Sequence, residues 1–118
     1  MPKTYISFYL RVGRIYIYID ALRQIGCPNR ICFMVDDKGD YLIVRPYEKR
    51  DLKSHAVSKN NYNSGKPNVR ISSVKLCRLL ASLRSWDENY SYRVPGKVYT
   101  KDNVVMFDLR RAEKTDHT

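Results

Sequence analysis

The sequence lacks the patterns that most enzymes and metal sites require. It has five glycines, none of them in a phosphate-binding fingerprint, and two histidines, His55 and His117. Cys27, Cys32 and Cys77 form no CxxC pair, and neither histidine stands at a spacing that completes a zinc site. We therefore expect no catalytic residues, no metal and no cofactor, and we predict that the protein is not an enzyme.

Long apolar runs are also missing. No stretch approaches the roughly 18 consecutive apolar residues of a membrane-spanning helix. The first residues, MPKTYISFYLRVGR, contain charges and no small-residue cleavage site. We therefore predict a cytoplasmic protein without membrane contact. Cys32, in the run ICFMV, and Cys77, in a helical run, are expected to be small buried thiols in a reducing compartment.

Acidic residues are scarce, and their distribution is uneven. The 118 residues include 22 Lys and Arg against 12 Asp and Glu, giving a net charge of +10. No acidic residue occurs from Leu52 to Trp86. Such a charge favours association with a polyanion through counterion release, or with an acidic protein surface. A charged run can also be only a solvated face, and we expect His55, within this segment, to be solvated.

Residues 1–46 predict a unit of strands, one short helix and a hairpin. The segment TYISFYLRV alternates apolar and polar residues, and Gly13 permits a turn into a second strand, RIYIYI. Tyr16 and Tyr18 in that strand suit either sheet packing or base stacking. Asp20 is predicted to cap a helix over Ala21–Ile25.

The predicted helix ends at Gly26, which is followed by Pro28. Two apolar runs, RICFMVD and DYLIVRP, then flank the residues DKG and predict a β-hairpin. Asp36, Asp37 and Asp40 lie around this turn, where Asp is favoured for turn geometry alone.

Residues 47–68 are polar and predict a basic linker or loop, with a helical turn near Asp51–Ala56. Residues 69–118 then predict a second strand-helix-hairpin unit. Val69–Ile71 is its short strand, and Ser72 or Ser73 caps its helix. The leucine spacing of this helix predicts one buried stripe, composed of Leu76, Leu79, Leu80 and Leu83. After it come YSYRV, a Pro95–Gly96 turn, KVYT and the apolar run VVMFDL.

These elements predict an α+β protein, with a small antiparallel β-sheet or barrel and short helices. The two units share the same order of elements, which indicates either an internal duplication or an ordinary α+β domain with coincidental order. A strand, a short helix and a hairpin cannot bury both faces alone, so each unit needs a second copy. We expect either a homodimer or a pseudo-dimer within one compact domain.

Residues 12–46 carry a further motif, since Gly13, Arg14, Ile15 and Ile17 are followed by Leu22-Arg23, Gly26 and a hairpin that ends in YLIVRP. This order resembles the swapped-hairpin transcription regulators of the AbrB and MazE type. Tyr18 stands where that family usually has proline. The resemblance implies a dimeric or pseudo-dimeric sheet that presents arginines to DNA, with Arg14 and Arg23 at the matching positions.

Two functions follow from these features. One is a DNA-binding transcriptional regulator that docks a basic sheet and loop on duplex DNA. The other is a small interaction protein, of the kind mobile elements encode, that inhibits an acidic or nucleic-acid-binding host protein such as a defence nuclease. The predicted nucleic-acid-binding residues are Arg11, Arg14, Arg23, Lys53, Lys59, Lys66, Arg70, Lys75 and Arg78.

Overall fold

Every strand pair in the described part of the chain is antiparallel. The computed structural model describes residues 3–115. Its strands are β1 (Lys3–Tyr9), β2 (Arg14–Tyr18), β3 (Arg30–Val35), β4 (Tyr41–Pro46), β5 (Ser54–Ala56), β6 (Asn68–Ser72), β7 (Ser91–Tyr99), β8 (Val104–Asp108) and β9 (Glu113–Thr115). The helices are α1 (Ile19–Gln24), α2 (Asn60–Asn63) and α3 (Val74–Arg84), and a 3₁₀ helix covers Leu109–Arg111.

The strands form one sheet in the order β5-β3-β4-β8-β7-β1-β2-β6, and β9 pairs with β7. This sheet curls into a nearly closed barrel, whose opening lies between the two end strands, β5 and β6. The antiparallel sheet with short helices agrees with the predicted α+β class. None of the helices in residues 3–115 is long and apolar enough to cross a membrane.

The apolar half of each alternating strand fills the barrel. Ile15 and Ile17 of β2 are fully buried, as are Phe8 of β1 and Phe107 of β8. Because successive side chains of a strand point to opposite faces, the residues between them lie on the outer face. Residues 31–35 and 41–46 form the predicted hairpin, with Met34 opposite Ile43.

Helix α1 begins one residue before the predicted cap, and the expectation that Asp20 caps it is wrong. Tyr18 occupies the cap position without a side-chain hydrogen bond, while Asp20 lies in the first turn. The reason is that the backbone N–H of Ile19 still donates to the carbonyl of Pro67, at 2.8 Å, as the chain leaves the sheet. Gly26 ends the helix region with φ +95°, as its sequence position predicts.

Helix α3 is capped as predicted, because the Ser73 side chain accepts a hydrogen bond from the Leu76 N–H at 3.2 Å. The predicted leucine stripe is wrong, however, for Leu79 and Leu83, which are 47% and 49% exposed. The helix turns Leu80 toward the barrel together with two small residues, Cys77 and Ala81. The helix therefore buries the face with Cys77, Leu80 and Ala81 rather than the one richest in leucine.

Two other local expectations are wrong. Residues 54–56, placed in a helical turn, form β5, and the helical turn lies later, in α2. The predicted Pro95–Gly96 turn does not exist, because β7 runs through both residues. Pairing of β7 with β1 includes Pro95 and Gly96 and holds both residues in an extended conformation. The chain reverses instead at residues 100–103.

Candidate nucleic-acid interface

The outer surface of β1, β2 and β6 is built of tyrosine, arginine and small polar residues. The core residues of these strands point inward, so their alternate residues line the outside. We call this surface the tyrosine–arginine face, and its residues are Tyr5, Ser7 and Tyr9 of β1, Arg14, Tyr16 and Tyr18 of β2, and Asn68, Arg70 and Ser72 of β6. No carboxylate side chain is among them.

Cross-strand register brings unlike residues of this face together. Tyr16 lies opposite Arg70, and Arg14 lies opposite Ser72. Tyr16 also lies edge to face against Tyr9, with ring centroids 5.2 Å apart. The sequence leaves sheet packing and base stacking open as roles for the tyrosines of β2. In the structure these tyrosines pack on the outside of the sheet, and their rings remain accessible to solvent.

A second tyrosine pair continues the face toward β7. Tyr5 and Tyr18 lie edge to face at a centroid distance of 6.0 Å. The guanidinium of Arg93 lies over the Tyr5 ring at 4.4 Å, and it also forms an ion pair with Glu113 at 3.3 Å. At this edge of the face, Arg93 therefore makes a cation–π contact with Tyr5, and its charge is already paired with Glu113.

All nine predicted nucleic-acid-binding residues are exposed. The structure brings four of them together in two pairs. Lys66 and Arg70 line one groove, and Arg11 and Arg78 line another beside Glu88. The remaining exposed positions are Arg14 on the tyrosine–arginine face, Arg23 on α1, Lys75 on α3, and Lys53 and Lys59 in the connection between β4 and β6.

Arg23 is engaged within the protein. Its guanidinium pairs with Asp20 at 2.6 Å and donates a hydrogen bond to the carbonyl of Tyr62 at 2.9 Å. The Tyr62 hydroxyl in turn donates to the carbonyl of Pro28 at 2.6 Å. Burial raises the pKa of Tyr62 well above its usual value, so this hydroxyl remains a donor. These bonds attach α2 to α1 and hold in place part of the basic segment, which is the stretch from Leu52 to Trp86 that has no acidic residue.

The other ion pairs of the described chain involve carboxylates away from the centre of the face. Arg84 pairs with Asp40 at 3.4 Å, and Arg110 pairs with Asp108 at 3.0 Å. The hydrogen bond from Arg110 holds the pKa of Asp108 below its usual value. Within residues 3–115, Arg14, Lys66 and Arg70 have no ion pair. Their charges therefore attract small counterions that a polyanion can displace.

His55 of β5 is half-buried rather than in open solvent. Its ring packs edge to face on Phe33 with centroids 5.2 Å apart. Burial, and to a smaller extent the nearby charge of Arg30, lowers the pKa of His55. The expectation of a solvated histidine is therefore correct only in part, because residues 54–56 pair with β3 and carry His55 against the hairpin.

Sequence reasoning missed the contribution of Tyr5, Tyr9 and Arg93 to the face. The alternation of TYISFY indicates which β1 residues share a side of the strand. It gives no information on the neighbours of β1, and Arg93 reaches Tyr5 only because β7 pairs with β1. Comparison of the chain with protein families, curated proteins and solved structures finds no significant match.

Proposed function

We propose that the protein binds DNA through the tyrosine–arginine face and the adjoining basic segment, and that it regulates transcription. The observation that carries this proposal is the absence of carboxylates among the outward residues of β1, β2 and β6, where Arg14 and Arg70 are exposed and have no ion pair within residues 3–115. Arginines without acidic partners are suited to phosphate contacts and to guanine edges.

The basic segment adds charge next to this face. Lys66 lies with Arg70 and Tyr16 along one groove. Because α2 is attached to α1 through Arg23 and Tyr62, the backbone that leads to Lys66 is held rather than free. A held backbone loses less conformational entropy on binding than a loose loop would.

The same proposal includes a pseudo-dimer within one chain. The first unit runs β1-β2-α1-β3-β4, and the second runs β5-β6-α3-β7-β8, so that it also takes in β5 from residues 47–68, which the sequence assigns to a linker. Equivalent strands pair with each other, β2 with β6 and β4 with β8. In addition, β1 pairs with β7, and its counterpart β5 pairs with β3. Each hairpin thus pairs with the other unit, and this exchange supports an internal duplication of swapped-hairpin type.

Salt-dependent binding tests the DNA proposal. Fluorescence anisotropy with duplex DNA at several salt concentrations is expected to give binding that weakens steeply with salt. The plot of log K against log salt has a negative slope. Lys66→Ala and Arg70→Ala should each make this slope less steep by about 0.9, since each removes one phosphate contact. Lys101→Ala, on the exposed turn after β7, is the matched control. Absence of micromolar binding to any duplex at low salt would contradict the proposal.

A second candidate function is the small interaction protein that inhibits a nucleic-acid-binding host protein. The observation in its favour is the exposed apolar edge of α3, where Leu79 and Leu83 lie one turn apart and are about half exposed. Apolar side chains beside exposed cations such as Arg78 are typical of protein interfaces. Leu79→Ser together with Leu83→Ser should leave duplex affinity unchanged under the first proposal.

A further inference from the structure

One groove of the tyrosine–arginine face has the chemistry of a nucleotide site. It lies between α2 and the outer side of β2 and β6, and its volume is about 450 Å³. Its lining residues are Tyr16, Asn61, Lys66, Asn68 and Arg70. The groove therefore combines one aromatic ring, two cations and two amides, and no carboxylate lines it.

The aromatic wall of the groove can accept a base. Tyr16 and Tyr9 form an edge-to-face pair, with an angle of 82° between their planes. Such a pair occupies at most one face of the Tyr16 ring. Tyr16 is partly exposed and lines the groove, so the other face can stack on a planar ligand. Bases of any sequence offer a π face for this contact.

The two cations of the groove are available to a phosphate. Lys66 precedes β6, while Arg70 lies at its middle and directly opposite Tyr16. Both side chains are exposed, and neither forms an ion pair within residues 3–115. Because Arg70 lies opposite Tyr16, a phosphate held by Arg70 would lie near a base stacked on Tyr16.

The two amides supply hydrogen bonds to a base edge. The Asn61 side-chain amide donates to the carbonyl of Ser58 at 3.1 Å, which orients the amide and leaves its oxygen as an acceptor. Asn68 lies beside Arg70 on the outer face of β6. Amide groups can both donate to and accept from the edge of a base.

We propose that this groove binds one unpaired nucleotide of the DNA, with the base stacked on Tyr16 and its phosphate held by Lys66 and Arg70. The inference rests on the proposed DNA-binding function and names the element of DNA that is recognised. A base inside a duplex has both faces covered by its neighbours, whereas an extrahelical base has a free face. Proteins that handle single bases take them out of the stack in the same way.

The attachment of α2 completes this site. Asn61 belongs to α2, and α2 is held by the hydrogen bond from Arg23 to the Tyr62 carbonyl. Arg23 thus holds one wall of the groove in position.

Two duplexes with the same base pairs test the inference. One is fully paired, and the other carries one additional, extrahelical 2-aminopurine nucleotide in one strand. We expect the bulged duplex to bind more tightly by about fivefold to about 150-fold, which corresponds to one base stacked on an aromatic side chain. We also expect the 2-aminopurine fluorescence to be quenched on binding. Tyr16→Leu should bring the affinity ratio of the two duplexes close to one.

Two further variants keep the result interpretable. Asn68→Asp replaces an amide that faces the base edge and puts a carboxylate beside Arg70 on β6. It should therefore weaken binding of the bulged duplex more than that of the paired one and lower the ratio, while Tyr16 stays in place. Tyr99→Leu, an exposed tyrosine at the end of β7, should leave the ratio unchanged. Thermal melts of all variants identify any that do not fold.

The outcomes separate the inference from the proposed function. If both duplexes bind equally, or if the preference survives in folded Tyr16→Leu and Asn68→Asp, the nucleotide site is overturned while DNA binding stands. If neither duplex binds, the proposed function and the inference both fail. A preference that is lost in both groove variants and kept in Tyr99→Leu supports the site.

Discussion

Gly96 of β7 lies directly opposite Phe107 of β8, and no larger side chain fits between them. A Cβ at Gly96 would collide with the Phe107 ring and would approach the carbonyl oxygen of Met106 to 2.7 Å. Phe107 is fully buried, so its ring cannot move aside into solvent.

Gly96→Ala should therefore destabilise the fold by about 1 to 3 kcal/mol through overpacking. Urea denaturation followed by tryptophan fluorescence measures the change. Ser82→Ala, at an exposed position of α3, is the control and should change stability by less than about 0.5 kcal/mol. An unchanged unfolding midpoint for Gly96→Ala would mean that β7 and β8 can separate locally at this pair.

Leu80→Ala and Leu79→Ala compare neighbouring positions of α3. Leu80 is fully buried, so its truncation should cost about 2 to 5 kcal/mol. Leu79 is half exposed, and its truncation should cost clearly less. Chemical denaturation of both variants measures the difference. Equal losses would contradict the observed rotation of the helix and restore the leucine stripe predicted from spacing.

The three cysteines should react with a thiol-specific dye at very different rates. Cys27 is exposed, whereas Cys32 and Cys77 are buried. Burial also raises the pKa of Cys77 to about 11, so this thiol stays protonated at pH 8 and is a poor nucleophile. We expect one fast thiol in the native protein and three after unfolding. Mass spectrometry that finds Cys77 labelled as fast as Cys27 would contradict the burial of that helix face.

Arg14→Ala and Arg23→Ala should differ in their effect on duplex binding. Arg14 has no ion pair in the described chain, so its loss should cost about 1 to 3 kcal/mol and relax the preference at one base if it contacts a guanine edge. Arg23 is held by Asp20 and the Tyr62 carbonyl, so its loss should weaken fully paired duplex binding less. Anisotropy titrations against a panel of sequences measure both effects. The reverse order would support direct DNA contact by Arg23, as the AbrB and MazE resemblance implies.

The proposed pseudo-dimer predicts a monomer in solution. Both units already pair with each other through β2–β6 and β4–β8, so the core needs no second copy. Light scattering coupled to size-exclusion chromatography should give the mass of a monomer. A dimer at micromolar concentration would instead favour an exchange of hairpins between two chains.

The sequence determined the local elements whose signals lie within a few residues. The alternation of β1 and β2, the Ser73 cap, the glycine after α1 and the hairpin from Arg30 to Pro46 were all predictable, because periodicity, capping and turn chemistry act over short distances. The exposed cations of the candidate site were also predictable, since lysine and arginine are rarely buried.

Only the tertiary structure decided how these elements meet. The spacing of leucines in α3 predicts one buried stripe that includes Leu79 and Leu83, but the folded barrel buries Leu80 with Cys77 and Ala81 instead. Likewise, the sequence contained Tyr16 and Arg70, but only the pairing of β2 with β6 placed them opposite each other. Strand pairing between distant segments depends on the whole barrel closing around one core, and that choice leaves no local signal in the sequence.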